Sequence, residues 1–160
     1  MKIGVISDTH IPGNCGQIPD NIIAHFSGAD MIIHAGDITE LGVLEQLALI
    51  TPNIEAVRGN MDSEIPQGRL PFKKVITVGE FRIGVTHGSG APKRLLERVA
   101  NEFKNVDAII FGHSHIPVNE IKNGVLFFNP GSATDTVMAK KKTIGILKIS
   151  DKIEAEIISV

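Results

Sequence analysis

At 160 residues the chain has the length of one domain that can bury a core without covalent staples, and we expect a single domain over residues 1–160. Sixteen Lys and Arg against 18 Asp and Glu give a net charge of −2, and Trp and Tyr are absent, which argues against a dedicated nucleic-acid surface. The one cysteine, Cys15, allows no intrachain disulfide, and no apolar stretch approaches the ~20 residues that span a bilayer, so no membrane partner is expected.

The first seven residues are too short for a signal peptide and lack its cleavage pattern, so a cytoplasmic location is expected. Residues 2–7 read as a buried strand and residues 8–17 as a polar loop rich in Gly and Pro. Ile22, Ile23 and Phe26 share one face of a short helix over 19–26. A second buried strand covers 30–35, a helix 41–50 and a third strand 53–58, followed by a loop over 61–71. Beyond it the pattern changes. Segments 73–78 and 81–86 flank Gly79-Glu80, a hairpin signal, and a helix fits 92–103. A buried strand over 107–111 follows. Two further hairpins join 117–121 to 125–129 and 143–149 to 152–159. The strand–helix–strand half favours parallel pairing and the hairpin half antiparallel pairing. A mixed β core flanked by helices is expected, and the pattern does not choose between one sheet and two.

Five short polar clusters punctuate this order, each at or just after an apolar run. They are Asp8-Thr9-His10, Gly36-Asp37, Gly59-Asn60-Met61-Asp62, Thr86-His87-Gly88 and Gly112-His113-Ser114-His115. They supply Asp8, His10, Asp37, Asn60, His87, His113 and His115, which are oxygen and neutral-nitrogen ligands with no thiolate among them. Such a set suits two adjacent divalent ions, and ligands in α/β folds gather beyond the carboxyl ends of the strands. Asp8 and His10 are two residues apart, as are His113 and His115, so an extended chain points each pair the same way.

In these motifs and their order the chain resembles the calcineurin-like metallophosphoesterase superfamily. It is most similar to the small single-domain branch called phosphodiesterases, which shares the later Asn129-Pro130-Gly131-Ser132. The resemblance implies a four-layer α/β/β/α sandwich of two mixed sheets flanked by helices, with two divalent ions at one edge. It assigns Asp8, His10, Asp37 and His115 to the first ion, makes Asp37 the bridge, and lets Asn60, His87 and His113 complete the second. Mn²⁺ is the first choice, and Ni²⁺, Fe or Zn²⁺ suit the same ligands. A hydroxide shared by the ions would attack a small phosphodiester, with Asn60 helping to neutralise the phosphate oxygens. The branch often forms homo-oligomers, and one is expected here.

Two positions depart from the superfamily pattern. Met61 stands where a histidine usually protonates the leaving group, a contribution worth ~10²–10⁴-fold. Ser89 stands where many members carry a second histidine after His87-Gly88. Good leaving groups suffer least from the first change, so an activated diester is the expected substrate. The loops 8–17 and 61–71 are the expected specificity elements.

Other polar residues have plainer readings. Asp62 either orients a ligand histidine from behind or caps its own turn. His34 is expected to be a hydrogen-bonded structural histidine, His25 a surface residue and Cys15 incidental. Lys140-Lys141-Lys142 reads as a solvated turn. Arg58 either touches a substrate phosphate or closes its strand. Arg69, Lys93 and Arg94 are candidates for the cleft rim, although each reads more readily as a surface charge. Two competing functions share the fold. One is a protein-binding scaffold like the retromer subunit, which segment 74–80 with Phe81 also resembles, and the other is a nuclease on short or cyclic nucleotides.

Overall fold

The structure is a computed structural model and describes residues 1–13, 15–135 and 137–160. In chain order the elements are β1 (Lys2–Ile6), α1 (Asp20–Phe26), β2 (Met31–His34), α2 (Gly42–Ala48), β3 (Ile54–Ala56), β4 (Lys73–Val78), β5 (Phe81–Thr86), α3 (Leu95–Glu102), β6 (Ala108–Ile110), β7 (Val118–Lys122), β8 (Val125–Asn129), β9 (Thr143–Ile149) and β10 (Ile153–Ser159).

Alternation along the strands decides the layers. In β1, Ile3 and Val5 face one side and Ile6 the other, and β2 repeats this with Met31 and Ile33 against Ile32. β1, β2 and β3 run parallel, and the ribbon of β9 and β10 adds antiparallel strands beyond β1. This gives a first sheet in the order β10-β9-β1-β2-β3. The second sheet runs β4-β5-β6-β8-β7, with β5, β6 and β8 parallel and antiparallel strands at both edges.

The sheets pack face to face. Ile3, Val5, Ile33 and Leu147 from the first meet Ile83, Val85, Ile110 and Phe128 from the second. All eight are fully buried, and a side chain of this kind is worth about 1.5–3 kcal/mol in apolar burial. Helices cover the outer faces. Ile22 and Phe26 of α1 and Val43 and Leu47 of α2 lie over Ile6, Ile32 and Ile146. Leu95 and Val99 of α3 lie over Ile109, Phe111 and Phe127. The result is the four-layer α/β/β/α sandwich that the resemblance implied. It also answers the question the strand pattern left open, because the two parallel sets sit in different sheets.

Most element ends lie within one or two residues of the sequence reading, and three differences have a clear physical cause. α3 starts at Leu95 and not at residue 92, because Arg94 takes a left-handed backbone with φ of 63°. Lys122 pairs with Val125, so the turn between β7 and β8 is Asn123-Gly124 alone, both at positive φ, as a tight type I′ hairpin requires. Ile149 pairs with Ile153, so Lys152 belongs to the turn between β9 and β10.

Candidate metal centre

β1, β2 and β3 of the first sheet and β5 and β6 of the second all deliver their carboxyl ends to one edge of the sandwich. The loop after β1 carries Asp8 and His10, and that after β2 carries Asp37. The loop after β3 carries Asn60, that after β5 His87, and that after β6 His113 and His115. Backbone bonds lock these loops together. Asp8 N donates to Gly36 O at 3.0 Å and His10 N to Asp37 O at 3.1 Å.

The structure brings all seven candidate ligands together. Nε2 of His115 lies 3.3 Å from Asp8 Oδ1 and 3.4 Å from Nε2 of His10. Oδ2 of Asp37 lies 3.6 Å from His10 Nε2 and 3.4 Å from His87 Nε2, between the two histidines. Asn60 Oδ1 lies 3.1 Å from His87 Nε2 and 2.8 Å from His113 Nδ1. Two overlapping sets have the spacing to hold a cation: Asp8, His10 and His115, and Asp8, Asp37 and His87. Asp8 therefore reaches both sides of the centre, a role the resemblance gave to Asp37 alone.

The donor set suits a cation for a specific reason. His87 Nδ1 is 2.7 Å from Ala35 O, His115 Nδ1 is hydrogen-bonded to Asp135, and His113 Nε2 is 2.7 Å from Gly90 O. Each of those ring nitrogens donates, so the opposite nitrogen of the neutral ring carries a lone pair. The lone pairs of His115 and His87 point at the carboxylate oxygens of Asp8 and Asp37, and that of His113 at the Asn60 amide, which offers either a donor or an acceptor. Acceptors that face acceptors at this range require a proton or a metal ion between them.

Without an ion, His115 and His87 hold protons more tightly than a free imidazole. Hydrogen bonding to Asp8 pushes His115 up to about 9, with burial opposing and Asp135 adding to the rise. Burial would lower His87, but the hydrogen bond to Asp37 and the charges of Asp8 and Asp37 raise it. Asp37 is correspondingly held low: burial acts against this, and His87 and the Met61 N–H outweigh it.

The backbone here is not extended, which corrects the expectation for the two spaced pairs. Asp8, His10, Asp37, His113 and His115 have φ of 54°, 45°, 55°, 71° and 56°. Each left-handed residue costs about 1–2 kcal/mol and turns its loop sharply. His113 thereby reaches Asn60 while His115 reaches Asp8. Two glycines are forced by close approach. A Cβ on Gly112 would lie 2.0 Å from Ser7 Oγ, and one on Gly59 would lie 2.1 Å from Asp37 Oδ1.

Asp62 touches neither a histidine nor only its own turn. Its two oxygens accept N–H bonds from Thr39 and Gly59, both at 2.7 Å, and so tie the loop after β2 to the loop after β3. His34 is fully buried and hydrogen-bonded to Thr9 and to the Gly36 N–H, and burial lowers it to about 4, so it stays neutral as a structural histidine. His25 is exposed, and Cys15 is half-buried with its thiol on Gln17 O. Lys140 and Lys141 are exposed.

Arg58 spends its guanidinium on Ile65 O and Pro66 O, which braces the loop 61–71. Arg94 pairs with Glu97 at the exposed start of α3, and Arg69 lines a separate hollow beside α2. Arg98, which the sequence reading passed over, binds Ser89 O, Ala91 O and Lys93 O and so clamps the segment after His87. The reading also missed Asp135, the partner of His115. Its signal was a Ser-x-x-Asp spacing from Ser132, and Asp135 N does donate to Ser132 Oγ.

A cavity of about 350 Å³ opens beside the centre, lined by Arg58, Asn60, Phe72, Lys73, His87 and Ser89 among others. Met61 follows Asn60 in the chain and is 53% exposed, with its backbone N–H on Asp37 Oδ1 at 2.8 Å.

Residues 1–152 match the model of the calcineurin-like phosphoesterase superfamily domain. The chain belongs to that superfamily. A probable metallophosphoesterase of Methanocaldococcus jannaschii is 37% identical over all of this chain and 82% of its own length. The solved structure of an archaeal phosphodiesterase is 28% identical, overlaps with a TM-score of 0.79 and is covered completely in both directions. Vps29 of Entamoeba histolytica, solved in complex with zinc, overlaps with a TM-score of 0.77 over 99% of each chain, and at 24% identity it shares the fold alone. Membership of a metallophosphoesterase superfamily implies divalent metals, and the ligand groups described above are their candidate holders.

Proposed function

We propose that the protein is a two-metal phosphodiesterase acting on a small or activated phosphodiester. The observation that carries this reading is the convergence of ring lone pairs and carboxylate oxygens from five loops on one edge of the sandwich. When bound, the two ions supply Lewis acidity and lower the pKa of a water nucleophile toward neutrality. Mn²⁺ fits the nitrogen and oxygen set, as do Ni²⁺, Fe and Zn²⁺.

The chain's own residues do the rest. Asp8, His10, Asp37 and His115 would hold one ion, and Asp37 with Asn60, His87 and His113 would hold the other, with Asp8 within reach of both. The two buried carboxylates keep the centre selective for cations. Asn60 is exposed and faces both the histidines and the cavity, so its amide meets a phosphate oxygen of the substrate. The cavity is near the lower end of the ~300–1,000 Å³ range of small-molecule sites, which supports a small substrate. The thioether of Met61 donates no proton, so the leaving group departs unassisted by it and must itself be a weak base.

A second reading, a protein-binding scaffold, draws on the overlap with Vps29. The fold overlap with Vps29 carries no activity in itself, whereas the phosphoesterase relatives and the complete ligand set support the first reading. A chromogenic phosphodiester and its monoester, offered to metal-stripped protein across Mn²⁺, Ni²⁺, Fe²⁺, Zn²⁺ and Mg²⁺, test the choice. Metal-dependent turnover of the diester above the monoester is expected. Bound metal without turnover of either ester would favour the scaffold.

A further inference from the structure

Behind His115 lies a carboxylate that belongs to none of the superfamily motifs. Asp135 is 5% exposed and accepts the Nδ1–H of His115. The same carboxylate accepts the backbone N–H groups of Val137 at 2.7 Å, Met138 at 3.1 Å and Ala139 at 3.1 Å. The N–H of Asp135 donates to Ser132 Oγ at 3.1 Å, and the Ser132 hydroxyl donates to Asp8 O at 2.7 Å. His115 Nε2 faces Asp8 Oδ1 at 3.3 Å, which closes a ring of contacts from Asp8 through Ser132, Asp135 and His115 back to Asp8.

Segment 137–139 is held at Asp135 and not by burial. Val137 is 90% exposed and Met138 71% exposed, so their apolar side chains contribute little to keeping the segment in place. Among the described residues its three N–H bonds converge on one carboxylate, and that carboxylate is shared with a candidate metal ligand.

We infer that Asp135 is a positioning residue that orients His115 for metal and couples occupancy of the centre to the order of segment 137–139. The inference rests on the metal centre read above. Fixing the proton on Nδ1 leaves the Nε2 lone pair aimed at Asp8 and His10, the tautomer a ligand needs. Withdrawal of electron density from Nε2 strengthens the Nδ1–H bond to Asp135, which steadies the carboxylate on which the loop hangs. By linkage, what orders the loop also favours the ion.

Three measurements on the metal-stripped full chain test this. Mn²⁺ is titrated calorimetrically into the wild type, Asp135→Asn and Asp135→Ala. The His115 tautomer is read from long-range ¹H–¹⁵N spectra of the imidazole above pH 9, where the metal-free ring is neutral. Trypsin cleavage at the lysines that follow the loop, Lys140 to Lys142, is timed with and without Mn²⁺. Mn²⁺ affinity is expected to fall ~10–100-fold in both variants, the usual cost of losing such a partner. His115 should pass from a single Nδ1–H form to a tautomer mixture. Mn²⁺ should slow cleavage of the wild type and not of the variants. Wild-type affinity in a folded Asp135→Asn protein would overturn the inference while leaving the metal centre intact. So would a wild-type loop cut at the same rate with and without bound Mn²⁺, a result that requires no variant to fold. A wild type that takes up no Mn²⁺ would overturn the metal centre itself, and this inference with it.

Discussion

Asp8, Asp37 and His87, on the inner wall of the centre, are at most 3% exposed, whereas Asn60 on the outer rim is exposed and His113 partly so. Each inner ligand has a dedicated partner. Asp8 takes the Ser7 hydroxyl at 2.6 Å and the His113 N–H at 3.1 Å, Asp37 takes the Met61 N–H, and His87 is fixed on Ala35 O. Asn60, by contrast, is placed between two histidine rings at the mouth of the cavity. The difference teaches that the wall is built to hold charge and the rim to meet substrate. Two buried carboxylates are costly without a compensating cation, while an exposed amide is free to turn toward a phosphate.

Substitutions should separate the two regions. The largest effect is expected at the wall. Asp37→Ala should remove metal uptake, read by plasma mass spectrometry, and reduce turnover to background; retained metal and activity would erase the distinction. At the rim, Asn60→Ala should lower kcat by ~10²–10³-fold, the range for loss of one preorganised donor, while the wall keeps its ion. A gain, confined to one class of substrate, is expected from Met61→His beside Asn60. With a proton donor restored, esters with alkoxide leaving groups should speed up, by at most the ~10²–10⁴-fold that general acids provide, and activated aryl diesters should not. Equal acceleration of both classes would show that Met61 acts through packing.

The smallest effect concerns protons in the metal-free protein. His115 is raised to about 9 from an unfolded value of 6.5, so its contribution to stability is complete below pH 6.5 and is lost as pH rises through about 9. Melting temperature of the metal-free chain should therefore decline across that window. Asp135, held down to about 2 against burial by the Val137 N–H and by His115, contributes above pH 3.8 and loses its share only as pH falls through about 2. Metal must displace the His115 proton, so uptake at pH 7 should release protons, measurable as a dependence of titration heat on buffer.

Much of the centre was legible because its ligands sit beside glycines directly after apolar strands, in an order that superfamily resemblance makes specific. The elements themselves followed from periodicity, as in Ile3 and Val5 of β1 or Leu95 and Val99 of α3. Assignment of strands to two sheets was not legible, since pairing such as β1 with β9 joins residues that no local pattern connects. Nor was the shape of the ligand loops. Spacing by two suggested extended chain at His113 and His115, whereas positive φ at both sends the rings to different sides. Asp135 was hidden for a related reason: a lone carboxylate in a polar loop gains meaning only when the fold sets it behind His115, 20 residues earlier.

The most direct test of the account is where ions sit. Crystals of the protein grown with Mn²⁺ should show two anomalous peaks, one among Asp8, His10, Asp37 and His115 and one among Asp37, Asn60, His87 and His113. A single peak, or none within these seven side chains, would contradict the two-metal centre.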